Sequence, residues 1–140
     1  MKINVKNINT KKEHEMCLAI RRQVFILEQN ISKQIETNDH LVNATHILAF
    51  SKEKAVGTAR YRRTNSGIKL ERLAVLKQFR NLGIGKALDL FMLEKLKNEK
   101  FIYLIAQELV IDFYDNLGFD SIGAFFYEAE IPHQKMVYSG

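Results

Sequence analysis

Residues 80–88 read R-N-L-G-I-G-K-A-L. Gly83 and Gly85 stand one residue apart, Arg80 and Lys86 bracket them, and a good helix-forming run follows. Glycine disfavours a helix, so two of them at a helix start need a reason. One reason is an anion. The first turn of a helix leaves four N–H groups unbonded and carries about half a positive charge. Glycine removes the Cβ that would hold a phosphate away from those groups. The other reason is a tight strand-to-helix turn that needs positive φ. The loop alone leaves both open.

Two familiar phosphate loops do not fit. A Walker A loop needs G-x-x-x-x-G-K-[ST], but Arg80 stands at its first glycine and Ala87 at its magnesium-binding hydroxyl. A dinucleotide fingerprint needs G-x-G-x-x-G/A, and Leu88 fills the third position. The strand before it also comes from a meander rather than a βαβ unit.

Working upstream, residues 68–76 are rich in Leu, Ile and Val and read as a strand. Residues 44–50 and 55–63 read as two more, joined by polar turns at 51–54 and 64–67. Three strands on short turns imply an antiparallel meander. Residues 30–43 are polar and irregular, a loop with a short helical piece. Before it, Met16, Ile20, Val24 and Leu27 form one apolar stripe on a helix from Lys11 to Phe25 or beyond. Thr10 and Glu13 have capping-box spacing at its start. Ile3, Val5 and Ile8 mark a first short strand.

Working downstream, Ile84, Leu88, Phe91 and Met92 share a helical face, with Lys86, Asp89 and Lys95 away from it. That helix ends near 97–100. Residues 101–106 are nearly all apolar, the mark of a strand buried on both faces. A short helix at 108–116 is followed by Gly118 as a C-cap. Strands at 121–128 and 133–138 complete the order β-α-β-β-β-α-β-α-β-β. The fold class is α/β (α+β), a mixed sheet covered by helices.

A chain of 140 residues suits one domain, 1–140. Its net charge is +5, with Lys and Arg scattered in short groups. This reads as a solvated surface or as attraction for a small polyanion. It shows no recognition helix or aromatic platform, so no nucleic-acid partner is expected. Cys17 is the only cysteine, which rules out an intrachain disulfide and fits a reducing compartment. It reads as a packed residue of the first helix rather than a nucleophile. The opening M-K-I-N-V-K-N-I alternates polar and apolar and reads as strand, not signal peptide. No run is long enough to cross a membrane. Cytoplasm is the expected compartment.

The pattern Arg80-Asn81-Leu82-Gly83-Ile84-Gly85 resembles the acyl-CoA loop of the GNAT N-acetyltransferase superfamily, Q/R-x-x-G-x-G/A. The context also matches: an apolar strand precedes the loop, and Phe113-Tyr114 with Leu117-Gly118-Phe119 follow it. The likeness covers essentially the whole chain. It extends to the YjcF/ElaA-like branch through I-R-R-Q-V-F at 20–25 with Glu28-Gln29, A-T-H at 44–46, V-G-T-A-R at 56–60, Ala106-Gln107 and I-P-H-Q-K-M at 131–136.

The resemblance implies a GNAT acyl-CoA N-acyltransferase fold, a mostly antiparallel mixed sheet with helices on both faces. It implies transfer of an acetyl group from acetyl-CoA to an amine, with no metal. The strands at 68–76 and 101–106 would splay at their C-terminal ends, and pantetheine would pair with the backbone of Leu73, Ala74 and Val75. Pyrophosphate would fall on the N–H groups of Leu82, Gly83, Ile84, Gly85 and Lys86, beside Arg80 and Asn81. Gln107 stands where many members have Asn on the pantetheine, and Phe113 lies beside it. Ile105 replaces a residue that is frequently polar in the branch. Tyr114 matches the general acid and a backbone N–H near Val75 the oxyanion donor. For the base, Glu71 is a candidate on the strand entering the site. Its alternative is a partner for Arg60, Arg62 or Arg72 across the meander. His46 is a second candidate, and His133 also matches a branch position. The acceptor would be a small amine or peptide, bordered by residues 32–43, where Glu36 and Asp39 would attract a cation. Family habits admit a homodimer. A catalytically silent acyl-CoA sensor is the alternative function.

Overall fold

The computed structural model describes residues 2–30 and 43–140. The elements run β1 (Ile3–Asn7), α1 (Lys11–Arg21), a π-helical segment (Arg22–Glu28), β2 (Thr45–Ser51), β3 (Lys54–Thr64), β4 (Gly67–Val75), a 3₁₀ turn (Lys77–Phe79), α2 (Ile84–Lys95), β5 (Ile102–Gln107), a 3₁₀ turn (Glu108–Val110), α3 (Ile111–Asn116), β6 (Phe119–Glu128) and β7 (Ile131–Tyr138). The expected order is the observed one. Seven strands form a mixed sheet in the order β1-β2-β3-β4-β5-β7-β6. Pairing is antiparallel at β1–β2, β2–β3, β5–β7 and β6–β7, and parallel at β4–β5. Of the polar stretch at 30–43, residues 31–42 lie outside the described residues, and Glu36 and Asp39 with them. Among the described residues no helix is long and apolar enough to cross a membrane.

The chain divides into two units. The first runs to Arg62 and resumes at Arg72–Lys97. Thr10 starts α1 as its hydroxyl predicts, accepting the Glu13 N–H at 3.1 Å. Glu13 reaches back to the Asn9 N–H at 2.8 Å, one residue earlier than the usual box, and also pairs with Lys6. The apolar stripe continues past Arg21 as a π-helix, so helicity persists to Glu28 with a wider turn. Cys17, Ile20, Val24, Phe25, Leu48 and Ala74 are buried together.

Successive strand residues face opposite sides of a sheet, and two neighbours in β3 use this. Thr58 sits with Cys17 at the Ile47 carbonyl, on the α1 side: both donate to it, at 2.7 Å and 3.9 Å. Gly57 faces the other way. A Cβ there would lie 2.9 Å from Ile84 and 3.1 Å from Leu88 of α2. The two helices therefore cover opposite faces, and Gly57 lets α2 lie close. Asp89 is fully buried, which corrects the expectation that it lies away from the apolar face. Leu93 and Leu96 are buried beside the Ile84–Leu88–Met92 row. The covered arc is thus wider than one four-residue stripe, and position 89 falls inside it.

The second unit comprises Arg63–Glu71 and Asn98–Gly140. β4 and β5 pair through Ile68–Ile102, Lys69–Tyr103 and Leu70–Leu104. Ile102, Tyr103, Leu104 and Ala106 are buried, as a strand covered on both faces requires, whereas Phe101 precedes the strand and is 37% exposed. The helix expected at 108–116 splits into a 3₁₀ turn and α3. β6 is exposed from Asp120 onward, since it forms the sheet edge.

Candidate functional site

The glycine loop takes its shape from three residues. Arg80 is extended, Asn81 has φ 63°, and Gly83 has φ 86° and ψ 7° as the N-cap of α2. An added Cβ at Gly83 would meet no atom of the described residues within 4 Å. Its need for glycine is therefore the left-handed backbone rather than crowding. Ile84 is 1% exposed and anchors the loop's end in the core. The N-cap glycine has no side chain to cap this helix, and the first turn contains no acidic residue. The turn thus carries its positive field with no carboxylate of its own to neutralise it. Asn81, Leu82, Gly83 and Lys86 are exposed. A helix start of this kind suits an anion, and the exposed Lys86 adds a cation beside it.

Leu73, Ala74 and Val75 form the end of β4 in the same unit, Ala74 packed into the core and the other two half-buried. Arg72 before them has φ 57°, a left-handed residue inside a strand. Its guanidinium carbon lies 5.7 Å from the Phe25 ring, a cation–π distance. Leu76 donates its N–H to the Val56 carbonyl at 2.9 Å, which fixes the strand's exit.

Arg80 is not poised over open solvent. Nε donates to the Val75 carbonyl at 2.9 Å, Nη2 to Glu28 Oε1 at 2.6 Å, and Nη1 to Glu28 Oε2. The hydrogen bonds from Arg80, and next its charge opposed by partial desolvation, hold the Glu28 carboxyl below its ordinary value. The same pair raises Arg80. His46, the base candidate on β2, is 8% exposed and meets the His14 ring edge-on at 4.8 Å.

The second unit holds the remaining candidates. Tyr114 on α3 is 6% exposed, with Phe113 at 5.0 Å and Phe119 at 5.6 Å in edge-to-face contacts. Gln107 ends β5 opposite His133 of β7. The His133 Nδ1 donates to the Ile131 carbonyl at 2.7 Å, so Nε2 is the acceptor nitrogen in the neutral ring. Glu71 has Lys69 Nζ at 3.4 Å, two residues back on the same strand face. Cys17 is fully buried and burial pushes its thiol up, the state of a packed residue and not of a nucleophile.

The structure brings Leu73, Ala74, Val75 and the residues from Arg80 to Lys86 together in one unit. Three contributors there had no assigned role in the sequence: Phe25, Glu28 and Gly57. All three lie in stretches that carry the branch likeness, which was the available signal.

Comparison with known proteins agrees with this geometry. The family described as acetyltransferase (GNAT) domain matches residues 9–139. YyaT of Bacillus subtilis is 35% identical over 96% of this chain and 94% of its own length. The N-acetyltransferase YjcF of the same organism is 31% identical over 95% and 99%. The crystal structure of Escherichia coli ElaA superposes with a TM-score of 0.87 at 25% identity, covering 99% of this chain and 100% of that one. An acyl-CoA N-acyltransferase from Pseudomonas aeruginosa gives a TM-score of 0.82 at 26% identity, covering 99% of both. The chain belongs to the GNAT acetyltransferase family.

Proposed function

We propose that this protein transfers an acetyl group from acetyl-CoA to a primary amine by direct attack of the amine on the thioester. The observation that carries this reading is the start of α2: a left-handed Gly83 at the N-cap, with no side chain of its own, and no acid in the first turn. A dianionic pyrophosphate fits such a terminus. Family membership supplies the chemistry. The amine nitrogen bonds to the thioester carbon, the C–S bond breaks, and the sulfur takes up a proton.

The chain's own residues divide that work. The N–H groups of Leu82, Gly83, Ile84, Gly85 and Lys86 hold the pyrophosphate. Asn81 and Arg80 shape the loop that presents them. The backbone of Leu73, Ala74 and Val75 pairs with pantetheine, and Gln107 and Phe113 flank it. A backbone N–H near Val75 stabilises the carbonyl oxygen as it gains charge. Tyr114 gives its proton to the sulfur. A thiol pKa of about 8.5 makes an unassisted thiolate a fair leaving group, so this acid is one contribution among several. Glu71 or His46 takes the amine proton. The scheme calls on no metal, and the family match across 9–139 supports one domain over 1–140. Cytoplasm, where acetyl-CoA and reduced Cys17 coexist, is the proposed compartment.

The test is a thermal-shift titration with acetyl-CoA, followed by a thiol-release screen over polyamines, aminosugars, amino acids and peptides. At a hundred times its Kd the ligand stabilises by about 2.7 kcal/mol. Stabilisation with thiol release confirms transfer. Stabilisation without release from any amine makes the protein an acyl-CoA sensor. No stabilisation by any acyl-CoA overturns the reading.

A further inference from the structure

Arg80 heads the loop, and a guanidinium offers five N–H donors. Three are directed at Glu28 and the Val75 carbonyl. The carboxylate is met by both terminal nitrogens, the strongest geometry for such a pair. Their side chains are 34% and 32% exposed, so the pair is partly sheltered.

Glu28 is aimed there by an irregular helix. It closes the π-helical segment, whose widened turn shows in the Gln29 N–H to Val24 carbonyl bond at 3.0 Å. One extra residue in a turn redirects every later side chain by about 100°. The same segment presents Phe25 to Arg72. The π-helix therefore grips β4 on both sides of Leu73–Ala74–Val75: Arg72 before them through a ring face, Arg80 after them through a carboxylate. Arg80 in turn holds the last carbonyl of the strand.

We propose that Glu28 is a positioning residue for the cofactor site. Through Arg80 it fixes the end of β4 to the glycine loop, and it leaves the phosphates to the α2 N–H groups and Lys86. This rests on the acyl-CoA reading above. Arg80 then serves the cofactor through the backbone it holds. A different arrangement has the opposite sign. If Glu28 merely masks Arg80 until a phosphate displaces it, removing the carboxylate frees a cation and tightens binding.

The sign is measurable by calorimetric titration of coenzyme A into wild type, E28Q, E28A, E28D, R80A and E28A/R80A. E28Q and E28A are expected to raise Kd about tenfold, the scale of a lost charge-assisted hydrogen bond. E28D recovers part of the loss. R80A adds little on top of E28A, because both remove one strut. In turnover, KM for acetyl-CoA rises while kcat holds, a split that general loosening of the fold would not give. E28Q is nearly isosteric, so it carries the test if E28A folds poorly. Tighter binding by E28A or E28Q, unchanged binding, or additive losses in the double variant would each overturn the proposal. Wild type failing to bind coenzyme A would instead overturn the acyl-CoA reading and take this proposal with it.

Discussion

The Tyr114 ring lies edge-on to Phe113 and Phe119 and is 6% exposed. Tyr114→Phe keeps that packing and removes only the hydroxyl. Stability is expected to change by no more than about 1.5 kcal/mol, the scale of one hydrogen bond. If the hydroxyl protonates the leaving sulfur, kcat falls by about 10²-fold, the lower end for general acids. Coenzyme A affinity stays within a factor of about three, since the contact belongs to the transition state. Steady-state kinetics at saturating amine decide it, and an unchanged kcat removes Tyr114 from the chemistry. The sequence marked Tyr114 through a downstream motif, a local signal. Glu28 and Arg80 lie 52 residues apart, and no local pattern states that two such residues meet. Arg80 was legible as a cation near a loop, but the acceptors that hold it were not.

Two glycines around α2 show how one residue type answers two different demands. Gly83 is needed for its φ of 86°, since no described residue approaches where a Cβ would go. Gly57 is needed for room, since a Cβ would press on Ile84 and Leu88. Gly83→Ala is therefore expected to cost about 1–2 kcal/mol through the left-handed backbone. Gly57→Ala should cost about 1–3 kcal/mol through overpacking. Their functional signatures differ too. If the N–H groups at the start of α2 hold the pyrophosphate, Gly83→Ala displaces them and weakens coenzyme A binding directly. Gly57→Ala pushes on the helix behind them at Ile84 Cγ2, so Ile84→Ala, which removes that carbon, is expected to cost less in the G57A background than in the wild type. Chemical denaturation of G83A, G57A, I84A and G57A/I84A tests this, and an equal cost of I84A in both backgrounds argues against the contact. Most elements were legible because alternation and 3.6-residue spacing are local. The π-helical segment was not, because its sequence continues the stripe of α1 and its widening leaves no mark there. What accompanies it is tertiary: Phe25 on Arg72 and Glu28 on Arg80. Asp89 escaped for a related reason, as burial of a carboxylate depends on what surrounds the helix.

At the scale of the molecule, three titrating groups set opposite limits on stability. The Lys6 hydrogen bond, with the Asn9 N–H next, holds Glu13 below the ordinary carboxylate value. Arg80 does the same for Glu28. A carboxyl lowered by folding stabilises fully above its unfolded pKa, about 4.3, and loses that contribution as pH falls through the folded value. Cys17 is shifted the other way, raised chiefly by burial. Its contribution is complete below the unfolded thiol pKa, about 8.5, and fades as pH climbs toward the folded value. Melting temperatures measured across acid to alkaline buffers should therefore show a plateau between about pH 5 and 8, with a decline on each side. E13Q and E28Q should flatten the acid limb, and C17A the alkaline one, each leaving the other limb in place. Added salt should shrink the E28Q effect, because that pair is partly exposed and screened, but should leave the buried thiol's limb nearly unaltered. If C17A keeps the wild-type alkaline slope, the thiol titrates as it does in the unfolded chain, and Cys17 is then less sheltered in solution than its packing against Ile47 implies.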